Sequence, residues 1–220
     1  MLTHLDPIPS YEESQAAPRP NALQILGATW GGVTVTADLI SLVGDSDRLV
    51  LELRKLHTTL KPDPAPGKVK VLTVLYRFDD DGDLETRLLV AAEDSQPSKV
   101  VLARGGHAAA QQQQQPHSTT RFMNAKLERP WRAGPQGEVE ILALVYGPKR
   151  IETSSVLSVL GNYFEGRWGQ VRMTNAFFGP DPWPYKVKSW TVYFRFVGSK
   201  RVQVVTGWED GALEVPWSRH

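Results

Sequence analysis

A chain of 220 residues with 25 basic and 24 acidic side chains and a formal net charge of +1 can bury a core but carries no broad basic footprint for nucleic acid. It holds no cysteine, which excludes disulfides, thiolate metal sites and cysteine nucleophiles. The N-terminus lacks the basic start and apolar run of a secretory signal, and no later run is long enough for a transmembrane segment, so a cytoplasmic protein is expected.

Residues 1–22, rich in Pro, Ser, Glu and Gln, cannot bury much apolar surface and read as a disordered arm. From residue 23 the signals are those of short strands: "ILGATW" at 25–30, "VTVTADLISLV" at 33–43 and "RLVLELRKL" at 48–56. "ADLISLV" is too short to decide between strand and a single helical turn. The prolines of "PDPAP" at 62–66 make a rigid loop rather than a central strand. "VKVLTVLYRF" (69–78), the turn "DDDGD" (79–83) and "TRLLVAA" (86–92) then read as a β-hairpin.

Residues 104–137 carry a glutamine tract with Gly, Pro, Ser and Thr, the composition of a solvated linker. "RFMNAKLERPW" (121–131) within it has apolar residues enough to dock along a unit. The pattern resumes at 138 with "ILALVYGP" (141–148), then "SSVLSVL" (154–160), read as strand or a single turn. A second hairpin follows, "VKSWTVYFRF" (187–196), "VGSK" (197–200) and "RVQVVTGW" (201–208).

"PDPAPGKVKVLTVLYRF" at 62–78 and "PDPWPYKVKSWTVYFRF" at 180–196 are identical at 11 of 17 positions, and the segments on either side also correspond. The expected fold is therefore all-β, with two tandem, internally duplicated antiparallel β-sandwich units spanning 23–103 and 138–220.

Residues 139–217 resemble the C-terminal domain of unknown function of mitochondria-associated, subfamily C DnaJ-type co-chaperones. The likeness rests on Ile141-Leu142, Tyr146-Gly147-Pro148, Asp181-Pro182, the strand Lys188 to Phe196 and the closing Leu213 to Pro216. A weaker echo covers 23–103. The resemblance implies a β-rich interaction domain without established catalytic residues. The chain has no His-Pro-Asp tripeptide, so co-chaperone activity is not implied.

Of the five histidines only His57 falls within a unit rather than in the arm, the linker or at the chain's last position, and no nucleophile, zinc or phosphate-loop motif occurs. Asp63 and Asp181, and Glu93-Asp94 and Glu209-Asp210, occupy matched positions. They offer oxygen ligands for Ca²⁺ or a hydrolytic carboxylate pair, or they simply open turns and close strands. No catalytic residue, metal or other cofactor is assigned.

Strand alternation puts Trp190, Val192, Phe194 and Phe196 on one face, matching Leu72, Val74, Tyr76 and Phe78, which makes them core. The opposite face, Ser189, Thr191, Tyr193 and Arg195, is either solvated or packed between the units. The candidate ligand-binding residues are Trp183, which stands where the first unit has Ala65, Tyr185, where it has Gly67, and their neighbours Phe178, Asp181 and Lys186. Flat aromatic faces on a rigid loop suit a sugar ring or a partner side chain. The competing reading is that Trp183 closes the edge of its own sandwich. The expected function is a non-catalytic binding or scaffold protein for a protein or glycan. A cytosolic lectin, a self-assembling structural protein and a hydrolase on the matched carboxylates are the alternatives.

Overall fold

A computed structural model describes residues 22–45, 47–79, 85–104, 121–134 and 136–214. Residues 1–21 of the expected arm, the glutamine tract and residues 80–84 of the first hairpin turn lie outside them. The first half contains β1 (Leu23–Trp30), β2 (Val33–Thr34), α1 (Thr36–Ser41), β3 (Leu49–Glu52), a 3-10 turn (Leu53–Lys55), α2 (Leu56–Thr59), β4 (Val71–Phe78), β5 (Arg87–Ala92) and β6 (Lys99–Leu102). Next come β7 (Phe122–Lys126), β8 (Trp131–Arg132), β9 (Val139–Tyr146), β10 (Lys149–Arg150), α3 (Ser154–Phe164), α4 (Asn175–Phe178), β11 (Ser189–Phe196) and β12 (Gln203–Trp208).

The class is all-β, and among the described residues every strand pairing is antiparallel. One sheet runs β2-β1-β4-β5-β7 and the other β10-β9-β11-β12, with β8 also on β9; β3 and β6 form a two-stranded ribbon. The pairing of β1 with β2 and β4, and of β4 with β5, is matched by β9 with β10 and β11, and β11 with β12.

Both faces of each sheet are buried, which is why β4 and β11 carry apolar or small residues at nearly every position. On one face Trp30, Leu72, Val74 and Tyr76 meet α1, the 3-10 turn and the β3-β6 ribbon. The equivalent face of the other sheet packs Leu144, Trp190, Val192 and Phe194 under α3 and α4. The remaining two faces meet each other, through Val71, Leu75, Leu88 and Val90 of one sheet and Ala143, Val145 and Tyr193 of the other. The mixed face of the second long strand therefore packs between the units, and the two sheets form one shared sandwich with an outer cover on each side.

"SSVLSVL" is the start of an 11-residue helix, not a strand or single turn. Val156, Leu157, Leu160, Tyr163 and Phe164 recur at helical spacing and are all buried; the pattern only emerges when the window reaches Phe164. "ADLISLV" is likewise a short helix over its first part. The span read as linker to 137 ends earlier, because β7 extends the first sheet at β5 and β8 pairs with β9 of the second. Among the described residues no helix is long and apolar enough to cross a membrane.

Candidate functional site

At the head of each long strand stands a lysine in phase with the core residues, Lys70 before Leu72 and Lys188 before Trp190. Their side chains are 3% and 2% exposed. An ammonium so buried is tolerable only when paired and hydrogen-bonded. Lys188 Nζ lies 3.1 Å from Asp181 Oδ1 and 3.0 Å from Glu209 Oε2 and donates to the Lys186 carbonyl at 2.8 Å, with the Tyr146 ring centroid at 5.5 Å. Lys70 repeats the set with Asp63 at 3.2 Å, Glu93 at 3.3 Å, the Lys68 carbonyl at 2.9 Å and the Trp30 ring at 5.0 Å.

The carboxylates have further duties. Asp63 and Asp181 accept the amides of Ala65 and Trp183 two residues on, at 2.9 and 2.8 Å, which locks the Pro-rich loop. Glu93 and Glu209 accept the amides of Lys70 and Lys188. Burial acts to raise the Asp63 pKa, but the Ala65 amide and the Lys70 ammonium outweigh it and hold the group below its ordinary value. In the second unit Glu209 also accepts from Asn175, whose carbonyl oxygen takes the Tyr146 hydroxyl at 2.7 Å. Burial first, and then Glu209, push the Tyr146 hydroxyl far above its ordinary pKa. Trp30 occupies the equivalent place in the first unit, and its indole N–H is buried without a partner among the described residues. The carboxylates that the sequence offers as cation ligands or as a hydrolytic pair thus do converge, but around a lysine ammonium. Among the described residues no group of three His, Asp or Glu is arranged to hold a metal.

The loop carried by Asp181 sorts the five candidate residues. Trp183 is not an exposed platform: it is 5% exposed and belongs to the apolar layer between the sheets, with the Arg121 guanidinium 5.0 Å above its ring. The cause lies across the molecule, since Arg121 comes from the segment entering β7 and the apolar layer that Trp183 joins includes residues of the other unit's sheet. Phe178 is also buried, stacked on Tyr146 at 4.1 Å between ring centroids, so it is a core residue of the second unit. Asp181 anchors Lys188. Lys186 is exposed at its side chain and lends its carbonyl to Lys188.

Tyr185 is the exception. The turn is closed by the Lys186 amide on the Trp183 carbonyl at 3.2 Å, as its counterpart is by Lys68 on Ala65 at 3.1 Å. Its third residue must take a positive φ: Gly67 does so at +75° with nothing near it, and Tyr185 does so at +64°. A side chain in the left-handed region costs about 1 kcal/mol or more, and Tyr185, fully exposed, recovers none of it by packing. Pro184, Lys186 and the half-exposed Val187 surround it.

Sequence reasoning missed the burial of Lys70 and Lys188, although their parity with Leu72 and Trp190 was available. It missed Arg121 altogether, for which no local signal exists. Comparison with protein-family models, with curated proteins and with solved structures gives no match to this chain.

Proposed function

We propose that this chain is a non-catalytic binding protein that offers the turn from Trp183 to Val187 to a protein partner. The observation that carries the reading is Tyr185, an aromatic held at φ 64° and fully exposed, where the matching turn uses glycine. A residue that is unfavourable for the fold and buries nothing of its own chain is accounted for by contacts made elsewhere. The base beneath it is rigid, because Trp183 is packed and Asp181 is bonded to both Trp183 and Lys188. A pre-ordered tyrosine gives a large contact area at little entropic cost, the property of an interface hot spot.

A protein is favoured over a glycan because Trp183, the best ring for stacking a sugar, is covered by Arg121. The hydrolase alternative draws no support from Asp181 and Glu209, whose oxygens are engaged by Lys188, Asn175 and main-chain amides. An interaction role also accords with what the resemblance of residues 139–217 implies.

The test separates binding from folding. Tyr185→Gly should melt at the same temperature as wild type or higher, and should lose a captured partner by about thirtyfold or more in affinity, the scale of a hot-spot tyrosine. Full retention of every interactor by Tyr185→Gly would refute the proposal, and a glycan-array signal that vanishes in that variant would move the reading to a lectin.

A further inference from the structure

The 3-10 turn and α2, which precede the first Pro-rich loop, put one face into the molecule, where Leu53, Leu56 and Leu60 join the core of the first unit. Arg54 and His57, three residues apart, leave together by the other face. Both are exposed, and with Gly67, Lys68 and Val69 they line a cleft of about 480 Å³ over Lys70 and its carboxylates.

The acids of this cleft are all engaged. Asp63 and Glu93 hold the Lys70 ammonium and accept main-chain amides, and Asp94 pairs with Arg121. Its outer cations are not. Among the described residues the side chains of Arg54 and His57 have no hydrogen bond or ion pair, and the Lys68 ammonium has only the face of the Trp208 ring, at 5.7 Å. Lys70 between two carboxylates leaves one net negative charge, which Arg54 and Lys68 exceed before His57 is counted. The second unit does not repeat the set: Asn175, which precedes its loop as His57 precedes the first, is bonded to Glu209 and Tyr146, and Tyr185 stands in the place of Gly67. A β-carbon on Gly67 would meet nothing, so the first loop leaves its cleft open there.

We propose that this cleft binds a phosphate monoester, held by Arg54, His57 and Lys68. Such a group carries about two negative charges and three acceptor oxygens. Donors arriving from two segments of the chain match it, whereas a carboxylate is satisfied by a single guanidinium fork. A concave site with one sign of charge in excess also concentrates such an anion.

Calorimetric titration of the full chain at low salt tests this with three phosphate probes: inorganic phosphate, glucose 6-phosphate and a short phosphoserine peptide. Saturable binding of at least one is expected, weakened by salt, by about tenfold in Arg54→Gln or Lys68→Gln and several-fold in His57→Gln. Tighter binding of the peptide than of the sugar phosphate would support the site with a partner's side chain as the source of the phosphate, and the reverse order would support it with a small molecule as the source. The three side chains are exposed, so the variants should melt as wild type does, which keeps loss of binding apart from loss of fold. Arg172→Gln, at the place in the second unit that Arg54 holds in the first, should bind as wild type. No saturable binding of any phosphate probe, acetate binding as tightly as phosphate, or an equal loss in Arg172→Gln would each overturn the proposal.

Discussion

Lys70 and Lys188 set the charge balance of the loops they hold, because each ammonium stands between two carboxylates that would otherwise repel. Removing one member of a buried pair costs about 3–5 kcal/mol, since the partner charge is left without compensation. Lys188→Met should show that loss in a urea titration, whereas Lys188→Met with Asp181→Asn and Glu209→Gln should recover a good part of it. If the single and triple variants unfold at the same urea concentration, the lysine is not what steadies the loop. These lysines were legible in the sequence through their parity with the core residues. Trp183 was not, because a loop residue has no alternation to read and its cover, Arg121, is distant in the chain. Tyr185 was legible only by comparison with Gly67, and what the comparison lacked was the φ angle that makes a tyrosine there unfavourable.

At the scale of elements, the segment from Phe122 to Arg132 works as a clasp, with β7 on one sheet and β8 on the other. Trp131 fastens its second half by lying on Gly161 of α3, where a β-carbon would sit 2.7 Å from the ring. Trp131→Ala should destabilise by about 3 kcal/mol, the cost of emptying a packed aromatic site. Gly161→Ala should destabilise wild type through that clash but do little in Trp131→Ala. Denaturant titration of the two singles and the double tests the coupling, and strictly additive values would mean that the ring and the helix are not in contact. The strands around the repeat could be read from β-branched alternation and turn residues. α3 could not be read from its first seven residues, and β7 and β8 were hidden by the low-complexity stretch beside them, whose composition dominates any window that includes them.

For the whole molecule, the layer between the sheets combines apolar packing with a chain of hydroxyls. Thr29 bonds Thr73 at 2.8 Å and Thr191 at 2.7 Å, and Thr73 meets the Tyr193 hydroxyl. Burial pushes that hydroxyl well above its ordinary pKa, against the opposing pull of Thr73 and Thr29, so it stays neutral. A fragment of residues 121–220 alone would expose Ala143, Val145, Trp183 and Tyr193 together and is expected to aggregate or to lack a cooperative melt. Mixed with residues 1–120 it should regain one, as seen by near-ultraviolet circular dichroism; a cooperative melt from the fragment by itself would show that the units are independent. The sequence pattern announced two like units but left open whether the mixed face of the long strand was wet or packed, because Thr, Ser and Tyr suit either surface.

The contact of Gly27 with Tyr193 has a consequence for partner choice between the halves. A β-carbon on Gly27 would lie 2.9 Å from the Tyr193 ring and 2.6 Å from Val204. The corresponding residues on the other side are Ala143 and Leu75, a larger floor under a smaller knob. Two second units facing each other would press Tyr193 onto Ala143, and two first units would leave a gap between Leu75 and Gly27. Size alone thus makes each half fit the other better than it fits its own kind, which disfavours the pairing of like halves between neighbouring chains.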